Sequence, residues 1–156
     1  MELTQEDKQL LLADLCARLP HGVKISTHDG SQTMVGIICT NGGGKVYTSN
    51  MLYNISQVKL YLRPMSSMTE EEKKDLLVTI VGNEGSKYFQ VLQDGSINNT
   101  DDTIKDLNKF NMHWVNFDKD TVTLYLDWLN AHHFDYRGLI EKGLALEAPE
   151  GMYGKE

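Results

Sequence analysis

The spacing of apolar positions changes period twice along the chain. Leu11, Leu12, Leu15, Cys16 and Leu19 recur at helical intervals behind Thr4 and Asp7, which form a capping-box pattern with Asp in place of Glu. This predicts a helix over residues 5–18, stopped by Pro20 and Gly22. The period then shortens. Val23-Lys24-Ile25 alternates, Asp29-Gly30 is a hairpin signal, and residues 34–39 form an apolar run rich in β-formers. Asn41-Gly42-Gly43-Gly44 supplies a second tight turn before a returning strand at Val46-Tyr47-Thr48. Ile55, Val58, Leu60 and Leu62 suggest a last short strand or turn ahead of Arg63-Pro64. Several short strands in so few residues predict a small antiparallel meander, with an SH3-like closure as one reading.

Helical spacing returns after a joint over residues 64–68. Ser67 with Glu70, and Thr69 with Glu72, both fit a capping box, and Glu70, Glu71 and Glu72 suit the positive end of a helix dipole. A helix over residues 69–81 is expected, closed by Gly82 and Gly85, followed by a strand over 88–92 that turns at Asp94-Gly95. Residues 98–102 read as loop and 104–110 as a short helix. Asp120 is expected to cap an amphipathic helix carrying Val122, Tyr125, Leu126 and Leu129, with Trp128 beside that face. A further helical turn is expected over 134–140, a bend at Gly143, and a frayed tail after Pro149. The fold class is therefore α+β: an N-terminal helix, a small antiparallel β-meander and a helix-rich C-terminal part. At 156 residues the chain reads as one compact domain, 1–156, with an internal division near residue 66.

Composition and charge narrow the function classes. A 40% hydrophobic content with only three prolines excludes a disordered tail or a collagen-like repeat. The apolar runs are too short to span a membrane, and the acidic, helix-like start is wrong for a secretory signal, so a soluble cytoplasmic protein is expected. Cys16 and Cys39 stand in apolar surroundings and read as two reduced core thiols; their spacing permits a disulfide, but a cytosolic compartment argues against one. The net charge is −7, which disfavours duplex DNA as a partner. It is unevenly spread: residues 1–66 carry six basic against five acidic groups, and residues 67–156 carry nine against seventeen. Within residues 22–66, Lys24, Lys45, Lys59 and Arg63 face Asp29 alone. A mildly basic segment thus precedes an acidic one, which suits an anionic ligand for the first and a basic partner surface for the second.

Candidate chemistry gathers in two places. Tyr47, Tyr53 and Tyr61 interleave with Lys45, Lys59 and Arg63, a pattern in which aromatic faces stack a base while cations hold its phosphate. His132, His133, Asp135, Tyr136 and Arg137 form the densest cluster of potential ligands. Adjacent helical histidines point about 100° apart, so this pair suits helix capping better than a shared metal ion. The glycines and lysine at residues 41–45 fail the phosphate-loop pattern, because Lys45 leads into a strand and not a helix. No GxSxG elbow is present, and neither cysteine has a nearby histidine in sequence. His113-Trp114 with Phe110 and Phe117 reads as core or edge packing. No cofactor or metal is implied.

Three segments carry a resemblance: Leu15-Cys16-Ala17-Arg18-Leu19-Pro20; Tyr61-Leu62-Arg63-Pro64-Met65-Ser66-Ser67-Met68; and Asp127-Trp128-Leu129-Asn130 with Asp135-Tyr136-Arg137-Gly138-Leu139-Ile140. Together with their flanks these resemble a recurring set of small proteins encoded in phages, prophages and mobile elements of anaerobic gut bacteria. The likeness covers about a third of the chain, and residues 84–115 lie outside it. It implies a phage-associated accessory protein inside the bacterial cell, a class that often acts by stoichiometric binding. The leading expectation is a non-enzymatic counter-defence factor that sequesters a host protein or a small anionic, nucleotide-type signal, with self-association open. The alternatives are a small nucleotide hydrolase using His132, His133 and Asp135 as acid–base groups, and an adaptor that docks a peptide on the small barrel.

Overall fold

The computed structural model describes residues 2–40, 43–99 and 119–154. The fold is α+β, and the chain divides into two compact units: residues 1–64 with 130–156, and residues 65–129. The first unit thus joins two separate stretches of sequence, with the C-terminal segment returning to it. By sequence, the first unit carries nine basic and ten acidic groups, and the second six and twelve. The acidity therefore follows the second unit and not the C-terminal half.

The first unit starts with α1 (Gln5–Arg18), whose Thr4 accepts from the Asp7 amide while the Asp7 carboxylate accepts from Thr4, as the capping-box pattern predicts. A single 3₁₀ turn at Leu19–His21 and Gly22 in the left-handed region end it. Five strands follow: β1 (Lys24–Thr27), β2 (Gly30–Thr40), β3 (Gly43–Thr48), β4 (Leu52–Asn54) and β5 (Lys59–Leu62). The last is β8 (Ala145–Glu147), a strand the apolar pattern did not reveal. The sheet order is β4-β3-β2-β1-β5-β8, antiparallel except for the β5–β8 pair. No β4–β8 pairing closes the ladder into a barrel among the described residues. The length of β2 lets its first half pair with β1 and its second with β3, across an irregularity between Met34 and Gly36.

The buried face of α1 comprises Leu11, Asp14, Leu15 and Arg18. At 100° per residue this face is rotated about 80° from the centre of the expected stripe. Cys16 is consequently exposed, as is Cys39, so the expectation of two core thiols is corrected. The core joins Leu11 and Leu15 to Val23, Ile25, Met34, Val46, Leu60 and Leu62 from the sheet, and to Leu139 and Leu144 from the returning segment.

That segment is not the helical turn expected over 134–140. Asp135 instead accepts from the amides of Leu139 (2.9 Å) and Ile140 (2.8 Å), and Gly138 takes a φ of 71°, which an α-helix does not accommodate. Gly143 bends the chain as expected, with a φ of 71°. The tail does not fray through residue 154, because the Tyr153 hydroxyl is bound between two strands.

In the second unit, α2 (Glu70–Gly85) begins with the Thr69–Glu72 capping box and breaks at Gly82, where φ is 77°. A hairpin of β6 (Phe89–Val91) and β7 (Ile97–Asn99) follows. In α3 (Lys119–Ala131), Asp120 lies in the first turn instead of ahead of it. The α3 residue Trp128 donates from Nε1 to Asp75 of α2 at 2.8 Å, and Tyr125 donates to the Gly95 carbonyl at 2.8 Å. Leu129 is buried, while Val122 is exposed in spite of its place on the expected apolar face. The helix expected over 104–110 and the aromatic group around His113 lie outside the described residues. No helix among the described residues is long and apolar enough to cross a membrane.

Candidate functional site

The site is built around two charges in the apolar face of α1. Asp14 and Arg18 stand one helical turn apart and are both fully buried. Arg18 Nε donates to Asp14 Oδ2 at 2.7 Å, and Nη2 donates to Asp14 Oδ1 at 3.2 Å and to the Phe134 carbonyl at 2.7 Å. Nη1 has no hydrogen-bond partner. Arg137, about a third exposed, brings its Nε to 3.2 Å from Asp14 Oδ1, too far off line to make a hydrogen bond. Both guanidinium groups approach the Tyr136 ring, with 5.5 Å (Arg18) and 5.1 Å (Arg137) to its centre.

Backbone pairing explains how residues so far apart in sequence meet. Tyr61 and Arg63 present their main-chain groups to the same side of the β5 line, because strand residues alternate. Where β1 ends at Lys24, the Tyr153 hydroxyl takes over: it accepts from the Lys24 amide (2.9 Å) and donates to the Tyr61 carbonyl (2.8 Å). Two residues further, Arg63 receives the 133–135 segment, its amide donating to the His133 carbonyl and its carbonyl accepting from the Asp135 amide, both at 2.8 Å. The Arg63 guanidinium lies 4.2 Å from the centre of the Phe134 ring. Three arginines, from α1, from beyond β5 and from the returning segment, thus converge on one region with Asp14.

His133 occupies the left-handed region (φ 62°) just past α3, and its amide donates to the Asn130 carbonyl at 3.2 Å. His133 thus ends the helix through its backbone. Its ring stacks on Tyr153 at 3.7 Å and 18°, and its Nδ1 has no partner. Burial, then the nearby Arg18, His21, His132 and Arg63, push the His133 pKa down to about 3. The ring is therefore neutral at physiological pH. Burial likewise pushes the Tyr153 phenol up to about 12, so it remains a hydroxyl able to both accept and donate.

The residues expected to bind a ligand are thus sorted into groups. Arg63, His132, His133, Asp135, Tyr136 and Arg137 come together here. The carboxylate of Asp135 is engaged with the amides of Leu139 and Ile140, an anchoring task and not the orientation of a histidine. Lys45, Tyr47, Tyr53, Lys59 and Tyr61 do not form one stacking surface. Tyr53 is buried on the core face; its hydroxyl accepts from Gln32 (2.8 Å) and donates to Asp29 (2.9 Å), so it offers no open ring face to a base. Tyr47 points to the opposite face of β3, where its ring covers Gly36. Lys59 is exposed on β5, and Tyr61 contributes its carbonyl to Tyr153. Lys45 lines a separate cleft of about 390 Å³ with Leu3, Lys8, Gly44, Asn54 and Ser56, into which Glu2 also projects.

Asp14 and Arg18 were missed by sequence reasoning. The available signal was a pair of opposite charges four residues apart, three and seven residues beyond Leu11 and hence within its apolar face. No family model, curated protein or solved structure matches the chain.

Proposed function

We propose that the protein is a non-enzymatic binding protein that holds a small phosphate-bearing anion of nucleotide type at the Arg18–Arg137 cluster, and that it serves a phage inside its bacterial host by sequestering such a signal. The observation that carries this reading is the unpartnered Arg18 Nη1, fully buried beside a partly exposed second guanidinium. A buried donor left without an acceptor costs free energy, and an anionic oxygen that enters beside the partly exposed Arg137 and reaches Nη1 would remove that cost with charge-assisted hydrogen bonds. Tyr136 places an aromatic ring beside both guanidinium groups. Stoichiometric binding is favoured over hydrolysis by the state of the cluster. A histidine whose pKa lies near 3 is a weak general base at neutral pH, and the Asp135 carboxylate is taken up by the backbone. The phage setting rests on the resemblance in the three sequence segments.

The test is native mass spectrometry and calorimetry of the untagged protein with a panel of linear and cyclic nucleotides. The expected result is a one-to-one complex whose ligand stays intact over hours. Arg137→Gln should weaken it about 10- to 100-fold, the range for loss of a charged hydrogen bond, while Lys45→Ala in the separate cleft leaves affinity unchanged. Circular dichroism confirms the fold of each variant. Absence of binding across the panel, turnover of the ligand, or full affinity in folded Arg137→Gln would each overturn the proposal.

A further inference from the structure

The two free cysteines come from different elements of the first unit, Cys16 from α1 and Cys39 from β2. Cys39 is two residues beyond Ile37 on β2 and shares its face of the sheet, the face on which Ile37 packs against the core. Its partner across the ladder is Gly44 of β3. Gly44 has no side chain where α1 crosses, and a Cβ there would stand 3.1 Å from Leu12 Cδ1. Cys16 lies one helical turn after Leu12 on α1. The close approach of α1 to the end of the β2–β3 ladder thus brings the Cys16 thiol close to the Cys39 thiol, near enough for the two sulfurs to interact electrostatically. Both residues are exposed, so a small oxidant can reach them.

We infer that Cys16 and Cys39 form a reversible intramolecular disulfide that pins α1 to β2, made by exchange with a low-molecular-weight disulfide of the glutathione type. In the first step the thiolate of one cysteine attacks the oxidant, giving a mixed disulfide and releasing one thiol molecule. In the second, the remaining protein thiol loses its proton and its sulfur displaces the second thiol molecule as the Sγ–Sγ bond forms. Two protein thiols are oxidised, one external disulfide is reduced, and the two protons end on the two released thiols. Partial desolvation and then the neighbouring sulfur of Cys39 raise the Cys16 thiol above its ordinary range. The inference rests on the two thiols and is independent of the anion-binding reading.

The experiment equilibrates the full-length protein in glutathione buffers running from fully reduced to fully oxidised, quenches with acid, and reads intact mass and non-reduced peptide maps. The expected product has lost two hydrogens and yields a peptide linking Cys16 to Cys39, reversed by dithiothreitol. Closing a loop of this size should raise the melting temperature by about 5–10 °C. Cys16→Ser and Cys39→Ser should each give a glutathione adduct in place of the internal bond, which separates loss of the pair from loss of fold. Protein that stays fully reduced, or wild-type protein that yields only glutathione adducts or cross-linked dimers, would overturn the inference.

Discussion

Replacing Asp14 with Asn tests the site at its most constrained point. The substitution keeps the shape of the side chain and removes its charge. Asp14 faces Arg18 at 2.7 Å and 3.2 Å and has Arg137 at 3.2 Å, with both Asp14 and Arg18 fully buried. In Asp14→Asn the guanidinium of Arg18 retains only the Phe134 carbonyl as an undisturbed acceptor. Breaking a buried ion pair from one side typically costs about 3–5 kcal/mol, or about 10 °C in melting temperature for a chain of this length. The double variant Asp14→Leu with Arg18→Met behaves differently, because neither charge then remains to be desolvated. Its chief cost, about 1 kcal/mol, is the loss of the Arg18 donor to the Phe134 carbonyl, which keeps the Tyr136 amide at 3.2 Å. Arg137, already partly exposed, can turn to water. Urea unfolding followed by circular dichroism should place the single variant well below the double. A loss under about 1 kcal/mol in Asp14→Asn, or a double variant no more stable than the single, would refute the account of the pair as a buried, mutually dependent unit.

Two further predictions concern the returning segment. His133 has a folded pKa near 3, well below its ordinary 6.5, so the unfolded state binds the extra proton first as pH falls. Its contribution is complete above pH 6.5 and is lost progressively toward pH 3. The stability of wild type should therefore fall relative to His133→Asn, which tolerates the left-handed backbone but does not titrate, by at most about 1.4 kcal/mol per pH unit. Proton NMR showing the His133 ring titrating near 6.5 would contradict this. Tyr153→Phe removes the hydroxyl that bridges the Lys24 amide and the Tyr61 carbonyl, which should cost about 1–3 kcal/mol. It should also speed hydrogen exchange at the Lys24 amide, and unchanged protection in a folded variant would show that the bridge does not hold the strands.

Local signals in the chain determined much of the architecture. The Thr4–Asp7 and Thr69–Glu72 capping boxes, the turn glycines and the alternation of the strands all act between residues close in sequence, so they can be read without knowing the fold. The cluster of His133, Asp135, Tyr136 and Arg137 was legible for the same reason, as a concentration of polar groups at a helix end. Tertiary structure alone decided which side of α1 is buried. The apolar stripe pointed toward Leu12 and Cys16, but the returning segment covers the side bearing Asp14 and Arg18 and supplies them with Phe134 and Arg137. Long-range backbone pairing also decided the fate of the C-terminus. Strand β8 is three residues long and exists because β5 offers a free edge, and Tyr153 is ordered because the ends of β1 and β5 leave a gap its hydroxyl fills. A local pattern records what a segment can bury or cap. Which groups meet across the fold depends on partners that no short stretch of sequence contains.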